Sequence, residues 1–344
     1  MELFPANITL NGHQQSVEKL LQQTGETAWQ QEFIDFLKQW YNKNDFIEVQ
    51  TSGSTGTPKT ISLKKQFVAA SAMRTIRYFN LIESDRILHC LPHKFIAGKL
   101  MTVRALLGKL DLYLIDPASD FTNLSAAKPI KFGAMVINQV SKYLALPHRN
   151  IQQLLIGGSA ITEDLKTRLQ SISTQCYSSY AMTETATHIA LQQLNGPDKT
   201  DNYQCLEDIS VELDQRGCIK IFMPGLPGNS IQTNDLGKIL AGNQFKILGR
   251  IDNVIISGGM KFIPEQLETK LENQLLLPFF VGSEPDDGLG EKIVLFVEHA
   301  KDELLEKAIS ATCKKYLSKY ERPKRIIFLE KIPRTKNGKI QRKR

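Results

Sequence analysis

The chain has 344 residues, 42% of them hydrophobic and 23% charged, a balance that excludes a disordered chain, a collagen repeat and a membrane bundle. No apolar run approaches the ~18–20 residues needed to cross a bilayer, and the start lacks the basic-then-apolar order of a signal peptide. Five scattered cysteines with no CxxC pair suit a reducing cytosol rather than a disulfide framework or zinc site, and 43 Lys and Arg against 36 Asp and Glu give a net +7, a surplus that suits anionic partners in general.

The length predicts one large domain or two unequal ones. Leu20, Leu21, Phe33, Phe36, Leu37 and Trp40 recur near helical spacing, which predicts helix through 14–42. FIEVQ (46–50) reads as a strand running into TSGSTGTPK (51–59). Residues 63–81 and 98–109 read as helices, and 86–91, 111–116 and 133–138 as strands. Residues 150–159 read as a strand ending in a glycine turn, and Thr162 opens a helix over 162–170. Strands alternating with helices predict an α/β architecture with a substantially parallel sheet.

The texture changes after about residue 200. ISVELD, CIKIFM and KILGR are short strands with turns between them, a small antiparallel β unit. From 253 the predicted order is strand, helix (264–276), strand (292–298), helix (302–319) and strand (325–330), enough for a small α+β domain.

Five segments carry chemistry. TSGSTGTPK sets two glycines among serines and threonines after a strand, offering N–H groups and hydroxyls to phosphate oxygens, with Lys59 as a point charge. Its spacing is not that of a Walker A loop, and alone it is also compatible with a flexible turn. YAMTETATHIA (180–190) holds Glu184 in an otherwise uncharged stretch. One such carboxylate plus substrate phosphates suffices for Mg²⁺, although a capped helix start at Thr183 with a solvated Glu184 reads equally well. QTNDLGKI (232–239) and GRIDN (249–253) place Asp235, Arg250 and Asp252 at turns, where a carboxylate suits vicinal ribose hydroxyls and turn formation alike. PRTKNGKIQRK (333–343) sets Lys339 beside Gly338, so a lysine can reach an oxyanion.

The order of the five segments resembles that of the adenylate-forming ligases, the family of acyl-CoA synthetases and nonribosomal adenylation domains, from residue 50 to the end. The resemblance implies a large N-terminal domain over 1–251 with mixed and parallel sheets flanked by helices plus the small β unit. A small mobile α+β lid over 252–344 would follow it. It implies ATP, Mg²⁺ and coenzyme A: a carboxylate attacks the α-phosphate to give acyl-AMP and pyrophosphate, and a thiol then takes the acyl group. Thr51, Ser52, Gly53, Ser54, Thr55, Gly56, Thr57 and Lys59 would close over the phosphates, with Gly158, Ser159, Ser179 and Tyr180 around the adenine. Thr183 would touch the α-phosphate, Glu184 hold the metal, Asp235 and Arg250 bind the ribose, and Lys339 bridge the reacting oxygens. Asp252 matches the hinge, and Gly258 and Gly259 the turn that approaches the coenzyme A channel.

The chain departs from the family in a short region ahead of the phosphate loop, in Ala181 where glycine is usual, and in Phe95 where a histidine is frequent. AGKLMTVRAL and TETATHIAL resemble the versions of these segments in the o-succinylbenzoate–CoA ligases of menaquinone biosynthesis. That implies Arg104 for the second carboxylate of a diacid, with Lys99 and His188 beside it. The alternatives are a ligase for another aryl or short-chain acid, one that loads a carrier-protein thiol, or an inactive scaffold. A nucleic-acid or anionic-membrane binder would use the tail, six of whose last eleven residues are basic, but leaves the phosphate loop and TNDLG unexplained. The expected setting is cytoplasmic, without nucleic acid or membrane insertion, and compatible with a homodimer.

Overall fold

The computed structural model describes every residue except 1, 51–58, 123, 125–127, 335–339 and 343–344. The chain forms two compact units, Met1–Ile161 with Leu165–Ile209, and Thr162–Asp164 with Ser210–Arg344.

In the first unit the strands are β1 (Asn7–Leu10), β2 (His13–Ser16), β3 (Phe46–Gln50), β4 (Thr60–Lys64), β5 (Arg86–His89), β6 (Asp111–Leu114), β7 (Ile130–Val136), β8 (Ile151–Gly157), β9 (Gln175–Ala181), β10 (His188–Gln193) and β11 (Tyr203–Cys205). The helices are α1 (Val17–Leu21), α2 (Ala28–Tyr41), α3 (Lys65–Tyr78), α4 (Ile96–Gly108), α5 (Ile137–Leu144) and, from Leu165 onward, α6 (Glu163–Leu169). The sheet runs β11-β10-β9-β8-β7-β5-β6-β1-β2, while β3 and β4 form a separate hairpin. β1, β6, β5, β7, β8 and β9 pair in parallel, and β2, β10 and β11 join antiparallel at the two sides. Helices α4, α5 and α6 cross between successive parallel strands, as such strands require. The expected α/β class is borne out.

Leu88, Phe121, Ile130, Tyr143, Leu154 and Leu169 belong to one buried cluster under this sheet. Helix α4 is buried from Gly98 to Arg104 and on to Leu106, so even Lys99, Thr102 and Arg104 are taken from water. A helix apolar on nearly every face belongs inside a domain. Its charged residues are therefore the ones to account for.

The continuous helix expected over 14–42 is interrupted. Asn11 and Gly12, both at positive φ, turn a β-hairpin ahead of it, and Thr27 starts α2 afresh through a capping box with Gln30. The segment 63–81 opens as strand β4 before becoming α3.

The second unit contains β12 (Ser210–Leu213), β13 (Cys218–Phe222), β14 (Ser230–Leu240) and β15 (Gln244–Arg250), paired antiparallel in that order. Beyond them come β16 (Ile255–Ser257), β17 (Met260–Phe262), α7 (Pro264–Leu271), β18 (Phe279–Asp286), β19 (Gly290–Glu298), α8 (Glu303–Tyr316) and β20 (Arg325–Leu329). Strands β17-β16-β19-β18, with β20 parallel to β19, form a sheet whose core includes Leu267, Leu271, Val281, Leu295, Ile309 and Cys313. Strand β18 stands where no strand was expected. No helix among the described residues is long and apolar enough to cross a membrane.

The C-terminal segment is anchored on this sheet. Arg342 donates to both carboxylate oxygens of Glu268 on α7, at 2.6 and 2.7 Å, and also to the carbonyl of Val281 on β18. Glu268 accepts the N–H of Val281 at 2.6 Å. The side chains of Arg342 and Glu268 are 15% and 19% exposed. Substituting Arg342→Met is expected to lower the stability of this unit by ~3 kcal/mol, because it strands a desolvated carboxylate. Arg77→Met, which breaks a pair 51% and 60% exposed, should stay within ~1 kcal/mol of the parent. Urea titration of both variants checks the contrast.

Candidate active site

In sheets of this kind ligands bind beyond the carboxyl ends of the parallel strands, and the first unit sets several expected residues there. Strand β8 ends at Gly157, and Gly158 turns the chain at φ +97° into Ser159. A Cβ on Gly157 would stand 2.9 Å from Ser179 Oγ, so glycine lets the two chains approach. Ser179 on β9 donates to the Ile156 carbonyl at 3.2 Å, and half-buried Tyr180 lies 5.9 Å from the Tyr203 ring, centroid to centroid.

Strand β9 leads into a single 3₁₀ turn, Thr183–Thr185. Thr185 Oγ1 bonds the carbonyls of Met182 and Thr187 at 3.0 and 2.7 Å, and Ala186 takes φ 62°. The turn holds Thr183 and Glu184 half-buried between β9 and β10. Gly158, Ser159, Ser179, Tyr180, Thr183 and Glu184 thus lie on the ends of neighbouring strands. Among the described residues no group of three or more His, Cys, Asp or Glu could hold a metal unaided. One half-buried carboxylate fits Mg²⁺ arriving with phosphate oxygens; a stand-alone metal centre would need more protein ligands.

Arg104 carries the strongest electrostatic signal. Its side chain is fully buried, and no carboxylate among the described residues pairs with it. Nη1 meets Met101 Sδ at 3.2 Å, Nη2 meets Thr187 Oγ1 at 3.5 Å, the Phe132 ring lies 6.0 Å from Cζ, and Nε has no hydrogen-bond partner among the described residues. Desolvation lowers the guanidinium pKa to about 9. Buried charges are ordinarily paired, so a cation left in this state fits an anion supplied by a ligand.

His188 lies beside it, with Nδ1 3.1 Å from Thr187 Oγ1 and Nε2 3.2 Å from Thr75 Oγ1. Burial, then the charge of Arg104, pushes its pKa well below the usual histidine range. Lys99 faces elsewhere. Its Nζ donates to Gln39 Oε1 at 2.9 Å and stands 4.9 Å from the Phe36 ring centroid, and burial lowers its pKa to about 8. Arg104 and His188 are therefore brought together, and Lys99 belongs with α2.

A second buried group lies outside the five segments. His89 Nε2 lies 2.9 Å from His93 Nε2, which lies 2.9 Å from Thr102 Oγ1, and Phe33 and Phe36 pack on the His93 ring. Burial lowers His89 to about 3, and burial together with the charges of His89 and Lys99 lowers His93 well below its normal value. HKF and LHC give no sign of this contact, which the fold creates.

In the second unit Asp235 and Arg250 are direct cross-strand partners on β14 and β15. Arg250 reaches Asp235 Oδ1 at 3.0 Å and Asp252 Oδ2 at 2.6 Å, and Asn234 Nδ2 meets Asp252 at 3.1 Å. The proposed ribose pair and hinge residue form one polar network. Gly258 and Gly259 occupy the β16–β17 turn at φ +58° and +78°, a conformation glycine takes without strain. Thr51, Ser52, Gly53, Ser54, Thr55, Gly56, Thr57 and Lys339 lie outside the described residues; Lys59 is described and exposed.

A family model described as AMP-binding enzyme matches residues 8–206, and one described as AMP-binding enzyme C-terminal domain matches 280–339. The 2-succinylbenzoate–CoA ligase of Listeria monocytogenes serovar 1/2a is 25% identical over 90% of this chain and 71% of its own length. That of Bacillus cereus AH820 is 26% identical over 86% and 68%. Among solved structures, an acyl-CoA synthetase (AMP-forming)/AMP-acid ligase II-like protein from Dyadobacter fermentans is 33% identical over 95% of both chains, with TM-score 0.65. The Bacillus subtilis O-succinylbenzoate coenzyme A synthetase, in complex with ATP and magnesium ion, superposes with TM-score 0.71 over 86% of this chain and 68% of its own. At 20% identity that likeness is one of fold.

Proposed function

This chain belongs to the AMP-binding enzyme family, and we propose that it is an acid–thiol ligase that activates o-succinylbenzoate as its adenylate and transfers the acyl group to coenzyme A. The observation that carries the substrate is the buried guanidinium of Arg104 without a carboxylate partner among the described residues. o-Succinylbenzoate has two carboxylates. One is activated, and the other supplies the counter-charge that Arg104 lacks, through charge-assisted hydrogen bonds. The names of the curated relatives support the same acid.

In the first step a substrate carboxylate oxygen attacks the α-phosphorus of ATP, the bond to the β-phosphate oxygen breaks, and pyrophosphate leaves. Thr51 to Thr57 and Lys59 hold the departing phosphates, with the adenine beside Gly158, Ser159, Ser179 and Tyr180. Glu184 would hold Mg²⁺, whose charge would offset that of the phosphates, while Thr183 contacts the α-phosphate. Asp235 and Arg250 take the ribose. Lys339 spans the attacking oxygen and the α-phosphate, where preorganised charge is worth ~3–4 kcal/mol. Residues 1–251 form the adenylation domain in this reading, and 252–344 a lid turning about Asp252. After the turn, Gly258 and Gly259 border the path of the thiol, whose sulfur displaces AMP.

The setting is the cytosol, and neither nucleic acid nor a membrane takes part. The test is to incubate the purified protein with ATP, Mg²⁺, coenzyme A and a panel of acids, and to detect the thioester by mass spectrometry. o-Succinylbenzoyl-CoA as the dominant product is expected. Preferential conversion of benzoate or a short-chain acid would keep the chemistry and overturn the substrate, and no thioester with any acid would overturn the activity.

A further inference from the structure

The hydroxyl of Thr187 stands between Arg104 and His188, and the protons of its neighbours can be placed. Thr75 Oγ1 on α3 donates to the Ser71 carbonyl at 3.4 Å, so it accepts from His188 Nε2 at 3.2 Å. A neutral imidazole protonated at Nε2 leaves Nδ1 bare. Nδ1 then accepts the hydroxyl proton of Thr187 at 3.1 Å. With that proton committed, the lone pairs of Thr187 Oγ1 face Arg104 Nη2 at 3.5 Å. The donors therefore run in one direction: guanidinium to Thr187, Thr187 to His188, His188 to Thr75, and Thr75 to the α3 backbone. Thr75, His188 and Arg104 are all buried.

We infer that Thr187 is a positioning residue for Arg104, and that through it the His188–Thr75 chain sets the preference for an acid bearing a second carboxylate. Among the described residues, Thr187 Oγ1 is the oxygen within hydrogen-bond distance of the guanidinium; its other contacts are a thioether and the face of the Phe132 ring, 6.0 Å from Cζ to centroid. A thioether is a weak acceptor and a ring face fixes no N–H direction, so loss of the hydroxyl loosens the aim of the guanidinium. His188 thereby acts through Thr187, with both ring nitrogens engaged, and needs no contact with the substrate. The inference rests on the reading of Arg104 as the seat of the second carboxylate.

The experiment compares the full-length parent with Thr187→Val and Thr187→Ser, using o-succinylbenzoate and an analogue whose second carboxyl is replaced by hydrogen. Valine keeps the shape and removes the hydroxyl, and serine restores it. Thr187→Val is expected to raise KM for the diacid about tenfold relative to that for the monoacid, the scale of one hydrogen bond to a charged group. KM for ATP should hold, the melting temperature of Thr187→Val should fall by a few degrees because His188 Nδ1 loses its donor, and Thr187→Ser should stay near the parent. A loss shared equally by the two acids, no change with valine, or a serine variant as impaired as valine would overturn the positioning role. A parent enzyme that does not distinguish the acids would overturn the Arg104 reading, and this inference with it.

Discussion

Replacing Arg104 with methionine is expected to lower kcat/KM for o-succinylbenzoate by ~10²-fold while leaving the fold as stable as before or more so. Two terms set the signs. In the free enzyme the guanidinium is desolvated and its described partners are a thioether, one distant hydroxyl and the Phe132 ring at 6.0 Å, none of them a counter-charge, so it is a net burden that an apolar side chain of similar length removes. In the proposed complex the same group meets a carboxylate, and truncating one member of a buried charged pair typically costs ~2–5 kcal/mol. KM for ATP should not move, because none of the residues proposed for the nucleotide is among the contacts of Arg104. Parallel kinetics and thermal melting check the result. A variant that loses stability with no change in diacid kinetics would make Arg104 a structural residue.

The second large effect is acid lability. His89, His93 and His188 are neutral in the folded protein, chiefly through burial. The unfolded chain takes up their protons below pH ~6.5 while the native state does not, so stability falls as pH falls. Each imidazole removes roughly 1–2 kcal/mol per pH unit until its own folded pKa is reached, about 3 for His89. All three act in the same direction, so the fall between pH 6.5 and 5 exceeds what one imidazole gives. Above pH 7 they contribute no slope. Urea titrations at pH 7.5, 6 and 5 test this: a steep drop above the carboxylate range is expected, and a flat profile down to pH 5 would mean that the imidazoles become charged without unfolding.

The parts of the fold that were legible in the sequence are those set by local pattern. The alternation of apolar strands and helices between 86 and 170 carried the parallel sheet, because buried parallel strands read as short apolar runs. The Asn11–Gly12 hairpin carried an equally local signal, the most common type I′ turn pair, but the apolar residues of the following helices obscured it. Strands β9 and β10 were hidden for another reason. The polar segment around Thr183 reads as a capped helix start, and its pairing as an antiparallel hairpin, His188 with Ala181 through Gln193 with Tyr177, makes it strand, turn and strand. Of the candidate site, the ordered segments named the residues, but not their grouping. Lys99 and Arg104 are five residues apart, roughly 140° around a helix, so one α4 faces α2 with the first and His188 with the second. The His89–His93 contact and the Thr187 relay arise from packing and leave no sequence signature.

The measurement that bears most directly on the whole account is acid-dependent ATP–pyrophosphate exchange, run side by side with o-succinylbenzoate and with its analogue lacking the second carboxyl. The account predicts Mg²⁺-dependent exchange with the diacid and exchange weaker by ~10²-fold with the analogue, the discrimination that one buried charge-assisted contact supplies. Equal exchange with the two acids, or none with either, would contradict it.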